Sequence, residues 1–269
     1  MMNLTNQNIT NKINFLFLSI FLLLILTLNT SYIKDKGTII LVADEWCPYN
    51  CNPNEKNPGY MVELAKLIFA EQGYSVLYQQ VSWSRAIYGT RKGDFEGIIG
   101  TGKNETPDFV FTKNEMGISI HTFYILKSKN WKYNGIKSVE NITLGVIENY
   151  SYGNFFNDYV NPNKNNNIRI QIVTGDDALR RNIKKLELSR IDATIEDKNV
   201  MNYTIKKYSI NIDIIPAGNV EKEKVYIAFS PSNKKSAEYA NILDKGIIKF
   251  RKLGKLKTIL DKYGLKDWK

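Results

Sequence analysis

Apolar and polar positions alternate along the chain in two recurring patterns, and their order outlines the architecture. Thr38–Ala43 is a continuous apolar run bounded by Gly37 and Asp44, which predicts a buried strand of the parallel type. Pro58-Gly59 opens a helix over Tyr60–Glu71, with Met61, Leu64, Ala65, Ile68 and Phe69 on one face and Gly73 closing it. Val76–Val81 is the next strand. An amphipathic helix then begins at Trp83 and breaks at Gly93-Asp94, and Phe95–Gly100 runs as a small-residue strand into the polar pair Thr101-Gly102. Strand and helix in this alternation predict an α/β fold with a mostly parallel sheet.

A second copy of the pattern follows. After a loop over Thr106–Glu115, Ile118–Lys127 is strand-like and carries His121, and Lys129–Val139 is a crossing segment. Ile142–Ile147 predicts a strand, and Glu148–Gly153 turns into a helix through Phe155, Phe156 and Tyr159 before a polar turn at Asn161–Asn167. Ile168–Val173 is a strand, Asp176-Asp177 caps a helix to Leu188, and Ile191–Ile195 is a strand ending in Glu196-Asp197. Asn199–Tyr208 reads as a helix and Ile210–Ile215 as a strand. Gly218–Lys224 returns the chain to a strand at Val225–Phe229, and Lys235–Tyr263 forms helices interrupted near Gly254. Two lobes are implied. In open α/β sheets ligands are met beyond the carboxyl ends of the strands, which directs attention to Asp44–Tyr49, Thr101 and Glu148–Gly153.

The amino terminus changes where the protein is expected. Lys12 is the single charge before residue 34, and Ile13–Leu28 is an almost unbroken apolar run followed by Asn29-Thr30-Ser31. That pattern predicts an export signal over residues 1–31, with an uncleaved membrane anchor as the alternative. The two cysteines, Cys47 and Cys51, either form a local disulfide in an oxidising compartment or remain free thiols. Two thiols and the single His121 do not supply a metal site, and none is expected. The formal charge of +10 is spread along the whole chain, so a solvated basic surface is expected and no nucleic-acid partner.

The candidate chemistry lies at strand ends. Glu45, Trp46 and Tyr49 follow the first strand, and a loop mixing carboxylate and aromatic groups suits recognition. The segment containing Tyr150, Ser151 and Tyr152 joins a strand to a helix amino terminus, where backbone N–H groups favour an anion. His121 stands in an apolar run and reads as structural. The chain carries no nucleophile elbow, phosphate loop or zinc signature, so an enzyme is not expected, nor is a cofactor.

Several of these segments together resemble the family 3 extracellular solute-binding proteins, the type II periplasmic binding proteins that include polar amino acid receptors of ABC importers. The resemblance is carried by Ala43–Trp46 with Pro48-Tyr49, Gly59-Tyr60, Trp83–Ala86, Gly93–Gly97 and Gly145–Tyr150. Arg190–Ala193 with Asp197, Ile227–Ser230 and Gly254–Trp268 complete it, and it spans about residues 38–268. It implies a discontinuous first lobe, residues 37–127 and 222–269, and an inserted second lobe, residues 128–221, with the ligand cleft between them. It further implies a monomer that captures a small polar solute in the periplasm and hands it to an inner-membrane ABC permease. By the same resemblance Asp197 holds a ligand ammonium, Asn149–Tyr152 takes a carboxylate, and Trp46, Tyr49 and Trp83 line the pocket.

One position departs from the family pattern. Amino acid receptors place an arginine shortly after the strand that ends here at Thr101, and Lys103–Asp108 offers none. Arg85 is the alternative guanidinium, or else a surface residue. Asp197 has a rival role as the cap of the helix at Asn199. Trp46, Trp83, Tyr150 and Tyr152 have packing as their rival role, and Glu45 solvation. A ligand-sensing component of a signalling system and a dehydratase-like enzyme on the same fold remain the other functional readings.

Overall fold

The computed structural model describes residues 34–175 and 177–269, so the export segment expected over residues 1–31 and the capping role expected of Asp176 lie outside the described residues. The chain runs β1 (Gly37–Ala43), α1 (Tyr60–Ala70), β2 (Tyr74–Gln80), α2 (Trp83–Lys92), β3 (Gly97–Thr101), β4 (Val110–Phe111) and β5 (Gly117–Leu126). It continues through β6 (Leu144–Ile147), β7 (Ile170–Val173), α3 (Ala178–Glu187), β8 (Ala193–Asp197), α4 (Lys198–Lys207), β9 (Ile214–Phe229), α5 (Ser236–Lys252) and α6 (Lys255–Asp261).

The strand order is β2-β1-β3-β9-β5-β8-β6-β7, with β4 also on β9. Each end of this path repeats one arrangement. β1 lies parallel between β2 and β3, and β6 lies parallel between β7 and β8. β9 is antiparallel to β3, and β5 is antiparallel to β8. The middle of the path is the long antiparallel pair of β5 and β9, from Gly117 opposite Val225 to Leu126 opposite Ile214.

Two apolar cores form on this frame. One gathers Leu41, Leu64, Phe69, Phe229, Leu243 and Phe250 under α1, α5 and α6, and the other gathers Phe123, Leu144, Val146, Phe155, Ala193 and Ile195. The expected face of α1 is buried as its periodicity predicts, with Met61, Leu64, Ala65, Ile68 and Phe69 all inside. Burying both faces of β1 and β8 explains why neither shows alternation.

Five local expectations need correction. The strand and returning segment expected between Ile210 and Phe229 are one strand, β9, because pairing with β5 keeps Gly218–Lys224 extended. Glu196 and Asp197 belong to β8 itself, paired with Thr122 and His121 of β5. The loop over Thr106–Glu115 contributes the short strand β4. The helix after the 148–153 turn is a π-helical turn at Phe156–Val160 that runs on into Asn161–Asn163, part of the expected polar turn. Asp177 stands at the amino terminus of α3 without a side-chain capping bond. Among the described residues no helix is long and apolar enough to cross a membrane.

Candidate functional site

The loop leaving β1 is folded back on itself. Trp46 and Asn50 exchange backbone hydrogen bonds of 2.8 and 3.2 Å, Asn50 Nδ2 donates to the Asp44 carbonyl at 2.7 Å, and Cys47 is disulfide-bonded to Cys51 with Cα atoms 4.7 Å apart. Gly59 makes the close packing of this loop feasible: its φ is +109°, and a Cβ there would stand 2.5 Å from the Asn50 Cα and the Tyr49 carbonyl. Trp46 is thereby stacked on Tyr49 with ring centroids 4.1 Å apart.

At the end of β3 the chain turns so that Glu105 reaches back. Its carboxylate accepts from Trp83 Nε1 at 2.9 Å and from Thr101 Oγ1 at 3.0 Å. From the middle of the sheet, Ser119 and His121 lie on one side of β5, and Glu223 of β9 stands opposite Ser119. His121 Nε2 is 3.3 Å from Glu223 Oε2. The turn after β6, with Asn149 at φ 61°, presents Tyr150 and Ser151. Tyr150 donates to Asp44 Oδ2 at 2.7 Å, and Ser151 donates to Glu223 at 3.1 and 3.2 Å.

These groups enclose a cavity of about 40 Å³, room for about three water molecules. Its lining combines Asp44, Glu105 and Glu223 with Trp46, Trp83, Tyr150, Asn50, Ser119, Ser151 and His121, and contains neither lysine nor arginine. Ile99, Gly100, Gly102 and Val225 complete it. Gly102 is matched to Glu223, since a Cβ there would meet Glu223 Oε1 at 2.3 Å.

Electrostatics here are set by burial of acids. Burial pushes the Glu105 carboxyl up to about 7, opposed by the hydrogen bonds from Trp83 and Thr101 and reinforced by the charge of Glu223. Burial likewise pushes Glu196, beside the cavity, up to about 7, against the hydrogen bond from Trp46. For His121 burial alone would lower the pKa, but the hydrogen bond and charge of Glu223, with Asp197 and Glu196, raise it overall. Two buried acceptor or donor atoms in the lining have no hydrogen-bond partner among the described residues: Asn50 Oδ1 and His121 Nδ1, on residues 1% and 5% exposed.

The expected site residues divide into three groups. Trp46, Trp83, Tyr150 and Ser151 line the cavity. Tyr49, Thr101, Tyr152 and Asp197 lie behind it. Tyr49 supports Trp46, and Thr101 holds Glu105; Tyr152 accepts from the Ile147 amide at 2.9 Å and sets its ring edge-on to His121. Asp197 is wholly buried. Its Oδ1 caps α4 by accepting from the Asn199 and Val200 amides, and its Oδ2 accepts from Tyr49, Ser119 and the Ile120 amide. Glu45 and Arg85 stand apart from the cavity: Glu45 pairs with Lys207 at 2.8 Å, and Arg85 is exposed on α2.

Sequence reasoning marked the segment of Asp44 without singling that residue out, missed Asn50, Glu105, Ser119 and Glu223, and treated His121 as structural. Glu105 carried a usable signal, because it occupies the very loop in which an arginine was sought.

A sequence model of the bacterial extracellular solute-binding proteins, family 3, matches residues 38–266. The chain belongs to that family. Its fold is that of the type II periplasmic binding proteins. An arginine-binding protein from T. maritima, ArgBP in a mutant form, aligns with a TM-score of 0.68 at 14% identity, covering 84% of this chain and 94% of that one. A structure from work on glutathione import via GshT and the cystine ABC importer TcyBC of Streptococcus mutans aligns with a TM-score of 0.70 at 19% identity, covering 85% and 95%. A histidine kinase sensor domain with similarity to periplasmic binding proteins aligns with a TM-score of 0.71 at 15% identity, covering 86% and 96%. A search of curated protein sequences finds no match.

Proposed function

We propose that this family 3 solute-binding protein is the exported receptor of an ABC importer, and that it captures a small polar solute in the cavity between its two lobes. The observation that carries this reading is the composition of the cavity wall: Asp44, Trp46, Trp83 and Glu105 come from the segments around β1 and β3, Tyr150 and Ser151 from the turn after β6, and Ser119, His121 and Glu223 from the shared β5–β9 pair. The two lobes, each built on one of the two cores and divided within β5 and β9, are the units that move.

In this reading closure is the mechanism. Contacts between the lobes, Tyr150 to Asp44, Trp46 to Glu196, and Lys207 to Glu45 and Glu55, hold the closed form in which the solute is enclosed. The membrane permease then reads the closed shape, and ligand shifts the population towards it by its differential affinity. Trp46, Trp83, Tyr150, Ser151 and Glu105 contact the solute, while Tyr49, Thr101 and Asp197 hold those contacts in place. No bond of the solute is made or broken.

Intrinsic fluorescence tests this directly, because Trp46 and Trp83 both line the cavity. Titration with a panel of amino acids, amines, organic acids and sugars is expected to give a saturable change with at least one compound, accompanied by a smaller radius of gyration in solution scattering. A flat response across the whole panel overturns the receptor reading. The similar fold of a kinase sensor domain supports a second reading, a ligand-sensing partner of a signalling protein. Stimulation of permease ATPase activity by the loaded protein separates the two.

A further inference from the structure

The cavity wall has an uneven chemistry. Besides the Tyr150 phenol, its ionisable groups are three carboxylates, Asp44, Glu105 and Glu223, and one imidazole, with neither lysine nor arginine among the described lining residues. An α-carboxylate brought here would face Glu223 at the turn carrying Ser151, where the family resemblance would place an anion; the Ser151 hydroxyl already donates to Glu223. It would also meet Glu105 in the loop expected to supply an arginine. Like charges brought together in a low-dielectric site repel strongly.

A second observation points the same way and does not depend on charge. Asn50 Oδ1 is a buried acceptor in the cavity wall without a donor among the described residues, and leaving a buried acceptor unsatisfied is costly. A ligand that donates hydrogen bonds removes that cost. The aromatic faces of Trp46, Trp83 and Tyr150 complement the acids, since cations are attracted to ring faces.

A bare metal ion does not fit this pattern. Among the described residues no group of three or more His, Cys, Asp or Glu side chains is placed to hold one. Glu105 and Glu223 both lie against Gly102, Glu105 accepting from its amide at 3.4 Å and Glu223 Oε1 standing 2.3 Å from where its Cβ would be, with Asp44 on the separate loop after β1, which suits a cation with donors at more than one atom.

We infer that the ligand is a small organic cation without a carboxylate, an aliphatic diamine or amino-guanidine, held between Glu105 and Glu223 with its chain against Trp46 and Trp83 and the lobes set wider than around the cavity of about three waters. This rests on the receptor reading above and narrows its solute to one class. Glu105 and Glu223 take the positive ends, and Asn50 Oδ1 accepts a further N–H.

Matched pairs that differ only by a carboxylate test it: putrescine against ornithine, cadaverine against lysine, and agmatine against arginine, titrated calorimetrically into the purified protein at about pH 8 so that the amines are charged. In at least one pair the decarboxylated member is expected to bind about tenfold or more tightly, and Glu105→Gln to weaken it by about tenfold or more, as loss of a charged hydrogen-bond partner does. Glu223→Gln serves as the second variant should the first melt well below the parent protein. The assignment is overturned if the amino acid binds more tightly in every pair, or if all three pairs are silent. Binding of a neutral or anionic solute in the wider panel would overturn it while leaving the receptor reading intact. Silence across both sets of compounds would remove both.

Discussion

Trp46 donates its indole Nε1 to Glu196 Oε1 at 3.0 Å, joining groups 150 residues apart in the chain. The same oxygen accepts from the Asp197 amide at 2.8 Å, so Trp46 supplies one of the two hydrogen bonds that favour the charged form of a carboxyl otherwise pushed up by burial. Trp46→Phe should retain the stack on Tyr49 but raise the Glu196 pKa further. Thermal melts recorded across pH should show the transition described next displaced upward by about one unit. An unmoved transition would show that the indole N–H is not what holds this carboxyl.

The pH dependence has a definite sign. Glu105 and Glu196 titrate near 7 in the fold, above the ordinary carboxylate range, and His121 is also raised, facing Glu223, Asp197 and Glu196. Between about pH 4.5 and 7 the folded state therefore binds more protons than the unfolded chain. Stability is fully present below the unfolded values and is lost as pH rises through the folded ones. The expected loss from Glu196 is on the order of 3 kcal/mol, with a smaller one from the more exposed Glu105. Denaturant melts of the ligand-free protein at about pH 5 and pH 8 check this. Equal or greater stability at pH 8 would contradict it.

Asp197 accepts five hydrogen bonds at full burial, two of them capping α4. Asp197→Ala should destabilise the ligand-free protein by about 3 kcal/mol, combining a lost cap with buried donors left unpaired. For a chain of this size the melting temperature would fall by roughly 6–12 °C. A side chain whose main partner was the solute would instead leave the ligand-free melt unchanged and lower affinity alone.

Two glycines near the site should respond differently to alanine. At Gly59 a Cβ meets backbone atoms at 2.5 Å and the residue has φ +109°, so Gly59→Ala should cost about 3 kcal/mol or more and unseat the Trp46 loop. At Gly102 the obstacle is the far end of Glu223, which can rotate away. Gly102→Ala should therefore stay within about 1 kcal/mol of the parent in stability while displacing Glu223 and weakening solute binding by about tenfold. Comparable stability losses in the two variants would refute the distinction.

The burial patterns of β1, α1, α2, β8 and the helices on either side of Gly254 are local properties, and period and punctuation in the sequence were enough to show them. The repeated strand and helix order showed the fold class, and the ordered short segments showed the family. Trp46, Trp83, Tyr150 and Ser151 could be marked as candidates because they follow strand ends. Which face each side chain took, and which acids met which partners, was decided by register between distant strands. Pairing β5 with β9 puts Glu223 opposite Ser119, and pairing β5 with β8 buries Asp197 beside His121. The cap that Asp197 forms on α4 was legible locally as an aspartate before a helix, whereas register alone buries it beside His121 and makes Glu223 a wall of the cavity. The reason is physical: a strand's side chains alternate faces every residue, so the chemistry of a cleft depends on alignments that only the folded sheet sets.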